Sequence, residues 1–303
     1  MNSHSKHYDS VLIGHITVDA NTDHLGHTVK GPGGAVLYSS AAAKALGHKV
    51  AVVTKVADAE KDRLSAFTIP AEDVYCLPSA KSTNMENVYF TADKERRKTT
   101  CLSQGDVLSA ADVPADVEGE IYHVAGLIYG DYDDNIIPDL ARRGRVAVDV
   151  QGYLRHTDFS KGGEMYFEDW KDKMELLPLI SFLKTDAAEA EILTGLTDRA
   201  QAAKLLHRWG AKEVLITHNT EVLAYDGRDI YTCPIRARNL SGRTGRGDTT
   251  FSSYITERLT HSVKDALLTA TATVSLKMEK PGAITASREE IEAYIRELYA
   301  DLL

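Results

Sequence analysis

Six short apolar runs recur along this chain, and most are separated by helical segments. Ser10–Gly14, Lys49–Thr54, Glu120–Val124, Arg145–Val150, Ile180–Lys184 and Glu213–Thr217 have strand length and little alternation. Such runs suit strands covered on both faces. An alanine-rich stretch opening at Gly31-Pro32-Gly33-Gly34 and closing near Leu46 reads as a helix, with Gly47 as its stop. Ala59–Phe67, Asp133–Arg143, Ala187–Leu193 and Arg199–Trp209 read as further helices, and Gly247–Thr260, Ser262–Met278 and Ser287–Leu302 as three closing ones. Asp73–Leu77, Val222–Tyr225 and Asp229–Cys233 are shorter extended pieces. Strand alternating with helix predicts an α/β fold with a mostly parallel, helix-covered sheet. Ligands of such sheets sit beyond the carboxyl ends of the strands. There is no internal repeat.

One region breaks the rhythm. Asn84–Phe90 and Arg97–Leu102 alternate apolar with polar residues around a charged turn at Asp93-Lys94-Glu95, which predicts a hairpin. With the polar segment from Ile16 to Lys30 it reads as a small β lid, formed by about 16–30 and 83–103, on a single domain spanning 1–303. The formal net charge of −9 and the lack of a dense Lys/Arg stripe argue against nucleic acid or an anionic membrane as partner. Cys76, Cys101 and Cys233 are widely spaced with no CxxC, as in a reduced, cytoplasmic protein. The polar N-terminus has no apolar signal core, and no apolar run reaches spanning length. No HExxH occurs, and His15, His24 and His27 fall in strand and turn, where a metal site is not expected.

The chemistry concentrates in Ser241-Gly242-Arg243-Thr244-Gly245-Arg246-Gly247-Asp248-Thr249-Thr250-Phe251, a glycine-rich loop running into a helix. Gly242, Gly247 and Thr249 have nearly the spacing of a phosphate-binding Walker loop, but Asp248 stands where that loop carries lysine. The amides of Gly245, Arg246 and Gly247 can hold phosphate charge at a helix start. Asp248 can take a proton from an attacking hydroxyl. Those are two halves of a phosphoryl transfer to an alcohol. The plainer reading is a loop whose aspartate caps a helix. Two more features point to a ligand edge. Asp19 follows the first strand, at the sheet's carboxyl side. Gly33 and Gly34 let a ligand approach the backbone closely, or serve only a tight turn.

In this order the pieces resemble the ribokinase-like (PfkB) family of sugar and nucleoside kinases over nearly the whole chain. The resemblance rests on Gly33-Gly34 at a helix start, on Asp186-Ala-Ala-Glu189, which is similar to the family's Asn-x-x-Glu, on Thr244-Gly245-Arg246-Gly247-Asp248, which is similar to its Thr-Gly-Ala-Gly-Asp, and on the closing helix before Pro281-Gly282-Ala283. It implies a three-layer α/β/α domain with a small β lid, and an ATP- and Mg²⁺-dependent transfer of the γ-phosphoryl group to a hydroxyl of a small sugar or cyclic polyol. By position, Asp248 is implied as catalytic base, with Gly245, Arg246 and Gly247 as the anion hole. Glu189 with Asp186 is implied to orient Mg²⁺ and the phosphates through water, and Asp19, Gly33 and Gly34 to contact substrate hydroxyls. Gly-Gly-Ala-x-x-Tyr38 and the segment from Asp149 to Arg155 resemble the inositol-kinase branch, with Arg155 on a phosphate or a sugar oxygen, or in a surface ion pair. An exposed lid also favours a homodimer through it.

The departures are specific. Gly242 stands where the family usually has an aspartate that helps hold a monovalent cation, so potassium activation is not carried over. Asp186 replaces asparagine, and Arg246 stands where alanine is usual. The nucleotide-side Thr-x-Gly-x-x-Gly is reduced to Thr217-His218-Asn219-Thr220-Glu221, with its glycines gone. That loss motivates a second reading, a ligand-sensing or regulatory protein on the same fold. A dinucleotide-dependent dehydrogenase is disfavoured because Val36 replaces the third glycine of its fingerprint.

Overall fold

The computed structural model describes residues 5–91 and 96–303. Among them, nine strands form one large sheet: β1 (Lys6–Ile13), β4 (Val50–Val56), β5 (Val74–Pro78), β8 (Val117–Val124), β9 (Arg145–Asp149), β12 (Phe182–Asp186), β13 (Glu213–Thr217), β14 (Glu221–Tyr225) and β15 (Ile230–Pro234). Their order is β15-β14-β13-β12-β9-β8-β1-β4-β5. Every pairing from β13 to β5 is parallel, and β14 and β15 add an antiparallel edge. The apolar runs are continuous because both faces are covered, and alternate residues serve different cores. Val146, Val148, Leu183, Val214 and Ile216 pack with Leu140, Leu193 and Leu206 on one face. Ala147, Phe182 and Leu215 pack with Phe251, Tyr254 and Leu267 on the other. Each such side chain contributes about 1.5–3 kcal/mol by leaving water.

The helices on the first face are α2 (Ile136–Ala141), α5 (Ala187–Thr194) and α6 (Arg199–Arg208), with short turns α3 (Gln151–Leu154) and α4 (Lys173–Leu176) between the first two in sequence. The second face carries α1 (Ala35–Ala45), α7 (Arg246–Glu257), α8 (Val263–Met278) and α9 (Arg288–Leu298). The expected Ala59–Phe67 helix is instead a pair of 3-10 turns over Asp58–Ala66, kinked where Glu60 leaves helical geometry at φ −124°. Its mostly charged sequence has no apolar stripe to anchor an α-helix.

A second sheet has the order β10-β11-β7-β6-β2-β3 among the described residues. Its strands are β2 (Thr17–Thr22), β3 (Thr28–Gly33), β6 (Asn84–Tyr89), β7 (Arg97–Ser103), β10 (Arg155–Asp158) and β11 (Glu164–Phe167). The hairpin of β6 and β7 pairs from Asn84↔Ser103 to Tyr89↔Arg97, while the charged turn expected at Asp93-Lys94-Glu95 lies outside the described residues. The sequence reading did not include β10 and β11. They are only four residues each and lie largely at the surface, and β11 joins β7 through Glu164↔Thr100, so no periodic pattern marks them.

Candidate active site

The glycine loop leaves β15 and enters α7 through Gly245, which has φ +78°. A Cβ on Gly245 would lie 2.2 Å from the Tyr38 ring, so only glycine allows this approach. The helix begins where the Thr249 amide donates to the Gly245 carbonyl at 3.0 Å. The Arg246 amide donates back to Arg243 at 3.2 Å. Of the three expected donors, that of Arg246 is therefore committed to a turn. Gly247 and Asp248 occupy the second and third helical positions, whose N–H groups have no acceptor inside the helix.

Asp248 is half-buried in the wall of a cavity of about 330 Å³. Burial pushes its carboxyl up from the ordinary aspartate range, and the positive charges of Lys184, Arg155 and Lys277 oppose that rise. A carboxyl group close to cations in a partly dry site suits proton acceptance.

Lys184 stands on the same wall. A Cβ on Gly247 would come within 3.1 Å of Lys184 Nζ, which places the ammonium beside the helix start. Its other side is held by Asp149, at 3.1 and 2.9 Å to the two carboxylate oxygens. The register of β9 and β12 makes these two residues neighbours at the carboxyl edge. Arg155 donates to Glu189 Oε1 at 3.0 Å, and its buried Nε has no hydrogen-bond partner. Asp186 and Glu189 form a reciprocal capping box at 2.8 Å in each direction. Asp186, Arg155 and Thr217 line the cavity, whereas Glu189 is 1% exposed and lies behind Arg155. Thr217 is buried at the end of β13, its hydroxyl donating to the Thr185 carbonyl at 3.4 Å. Glu189 thus links Arg155, Lys184 and Asp186, and these three line the same cavity as Asp19.

Strands β2, β6 and β7 of the small sheet line the cavity too. Asp19 is held by the Thr17 hydroxyl at 2.6 Å. Burial raises its pKa, against the bond from Thr17 and the charge of Arg97. Gly33 pairs with Thr17 on the neighbouring strand, and a Cβ there would be 2.4 Å from the Asp19 carboxylate. Gly34 has φ +97° and lines the cavity at the start of α1. Tyr38, Asn87, Tyr89, Arg97 and Thr99 also line the cavity. Thr99 donates to Asn87 at 2.9 Å, and Asn87 to Asn21 at 3.2 Å. Tyr38 was expected here from the sequence, whereas Asn87, Arg97, Thr99 and Lys184 were not singled out as site residues. The alternation of β6 and β7 was the signal for the first three of these, and a lysine inside a buried apolar strand the signal for Lys184.

Among the described residues, no three His, Cys, Asp or Glu side chains converge in a way that would hold a metal ion. Asp186 brings one carboxylate to the cavity. Mg²⁺ keeps several waters and binds through phosphates with one or two carboxylates, so Asp186 and, through water, Glu189 fit it as partners of a phosphate-bound ion. No described helix is long and apolar enough to cross a membrane.

The family model described as pfkB family carbohydrate kinase matches residues 7–290. Cytidine kinase of Thermococcus kodakarensis is 26% identical over 254 residues, which is 79% of this chain and 84% of that protein. Two solved structures align closely. One, a sulfate complex of a pyrophosphate-dependent kinase in the ribokinase family, has a TM-score of 0.84 and 31% identity over 94% of this chain and 99% of that one. The other, a pyrophosphate-dependent kinase of the ribokinase family with a pyrophosphate analog and myo-inositol, has a TM-score of 0.83 and 30% identity over 94% and 99%.

Proposed function

The chain belongs to the pfkB family of carbohydrate kinases, with the ribokinase-like fold and phosphotransfer to a hydroxyl that this entails, and on that premise we propose that it phosphorylates a cyclic polyol of the inositol type with Asp248 as general base. The single observation that carries this reading is the placement of Asp248 in one cavity with a helix start, Lys184 and Asp19. The acceptor binds against Asp19, Asn87 and Thr99, with one hydroxyl directed at Asp248. Asp248 takes that hydroxyl's proton as its oxygen forms a bond to the terminal phosphorus. The bond from phosphorus to the leaving phosphate oxygen breaks, and the proton stays on Asp248. The Gly247 and Asp248 amides, Lys184 and Arg155 hold the negative charge on the donor oxygens. Mg²⁺, when bound, neutralises donor phosphate charge. The small sheet acts as a lid that keeps water from the transferred group.

The resemblance implies ATP as donor. A second reading, pyrophosphate, is favoured by the donor side of the cavity. Arg155, Lys184, Arg243 and Arg246 are among the cationic residues that line the cavity. The expected nucleotide loop is replaced by a tight turn in which the His218 amide donates to the Glu221 carbonyl at 3.0 Å. A compact polyanion uses these cations without needing an adenosine platform, and the 30%-identical inositol-bound kinase is pyrophosphate-dependent. The test is a panel of ATP and pyrophosphate against inositols, pentoses, ketoses and nucleosides with Mg²⁺, read by phosphorus NMR. Transfer to an inositol supports the reading. Transfer to cytidine alone, or to no acceptor, contradicts it.

A further inference from the structure

Lys277 enters the chemistry above only as a charge acting on Asp248, yet among the described residues it is the least exposed lysine. It sits in the last turn of α8 with only 3% of its surface exposed. Its ammonium donates to the Gly242 carbonyl at 2.5 Å and to the Thr244 carbonyl, and lies 5.1 Å from the centre of the Tyr38 ring. Among the described residues no carboxylate forms an ion pair with it. A buried ammonium without a counter-ion is costly, and burial pulls its pKa down to about 8 against the pull of Asp248. Main-chain carbonyls and an aromatic face are the surroundings in which proteins hold monovalent cations.

The loop is built around that charge. The Gly242 amide donates to the Met278 carbonyl at 2.7 Å. A Cβ at Gly242 would lie 1.7 Å from the Lys280 carbonyl oxygen, so position 242 has no room for an acidic side chain that would recruit a free ion. The Tyr38 ring contacts both the ammonium and Gly245. The two carbonyls that Lys277 fixes therefore immediately precede the turn that presents the Gly247 and Asp248 amides.

We propose that Lys277 is a tethered monovalent cation: a positioning residue whose ammonium fixes the Gly242 and Thr244 carbonyls, sets the anion-binding helix start, and frees the reaction from any dissolved monovalent ion. The inference rests on the kinase reading and deepens it. An ordinary helix-end lysine would bond carbonyls in the same way, but its loss would not create a requirement for a cation.

The test compares the wild type with Lys277→Ala and Lys277→Gln in KCl, NH₄Cl and tetramethylammonium chloride at equal ionic strength. Wild-type kcat should be the same in all three salts. In tetramethylammonium, both variants should lose kcat by about 100-fold, the size expected when an anion-hole donor is misplaced, with the acceptor KM little changed. KCl or NH₄Cl should restore at least a tenth of the lost rate to Lys277→Ala and raise its melting temperature but not that of the wild type. A folded Lys277→Ala with no cation rescue, or a Lys277→Gln with wild-type kcat in tetramethylammonium, overturns the proposal. Should neither variant fold in tetramethylammonium, a refolding yield that rises in KCl supports it and equal yields overturn it. A wild type that transfers phosphate to no acceptor sinks the kinase reading instead, and the cation-dependent melting shift of Lys277→Ala remains readable.

Discussion

The helix that carries Asp248 is fastened at its far end by Glu257, and replacing that residue with glutamine gives a calculable loss. The Glu257 side chain is 1% exposed. His48 Nε2 lies 2.8 Å from Oε1, and Arg288 reaches both oxygens at 2.8 and 3.1 Å. Burial works to raise its pKa, as does a helix C-terminus. The hydrogen bonds from His48 and Arg288 and their charges outweigh that and hold it at about 2, below an ordinary value of 4.5. A depressed carboxylate stabilises the fold above its unfolded pKa, and the contribution disappears as pH falls through the folded one. At about 1.4 kcal/mol per pH unit, the difference comes to roughly 3 kcal/mol at pH 7. Glu257→Gln keeps the volume and removes the charge. Urea denaturation should show the variant weaker than wild type by about that amount at pH 7, with the gap closing between pH 4.5 and 2. Equal stability at pH 7 would refute the reasoning. A gap of undiminished size at pH 2.5 would also refute it, because it would place the damage in packing rather than charge.

Gly245→Ala forces a side chain into φ +78° and toward the Tyr38 ring. Steady-state kinetics should show kcat down at least tenfold, since the backbone alone costs about 1–2 kcal/mol, and an active variant would argue against a fixed anion hole. Arg155→Met leaves the buried Glu189 carboxylate with one charge partner fewer, so melting temperature should fall and donor KM should rise at least tenfold; unchanged donor KM would remove Arg155 from the donor site. Raising pH through about 8 discharges Lys277. Because its folded pKa lies below the unfolded one, that step relieves a destabilisation, so stability should rise from there toward pH 10 while kcat falls. A rate flat across that range would count against a role for the ammonium. Leu25 and Val29 on the β2–β3 edge hairpin are 68% and 70% exposed, and light scattering should find a homodimer that Val29→Lys dissociates. A wild-type monomer at every concentration would exclude this edge as the contact.

The sheet was legible because its strands are buried on both faces and leave unbroken apolar runs, as at Val11–Ile13 and Val214–Ile216. The glycine loop was legible because its conformational demands admit few residues, with φ +78° at Gly245. Polar residues that act through tertiary placement were not. Lys277 reads as an ordinary helix-end lysine until α8 is docked against Gly242 and Thr244. Lys184 becomes a site residue only when β9 brings Asp149 beside it and α7 brings Gly247. Strand β10, paired with β11, carries Arg155 into the site on four-residue segments too short to show a period.

The most direct measurement is kcat for Asp248→Asn, with the acceptor and donor that the wild type uses, beside a melting curve of the same sample. The account predicts a rate lower by about 10²–10⁴-fold, the range for a lost general base, with melting temperature equal to or above that of the wild type because a buried charge is gone. A folded Asp248→Asn enzyme working within tenfold of wild type would contradict it.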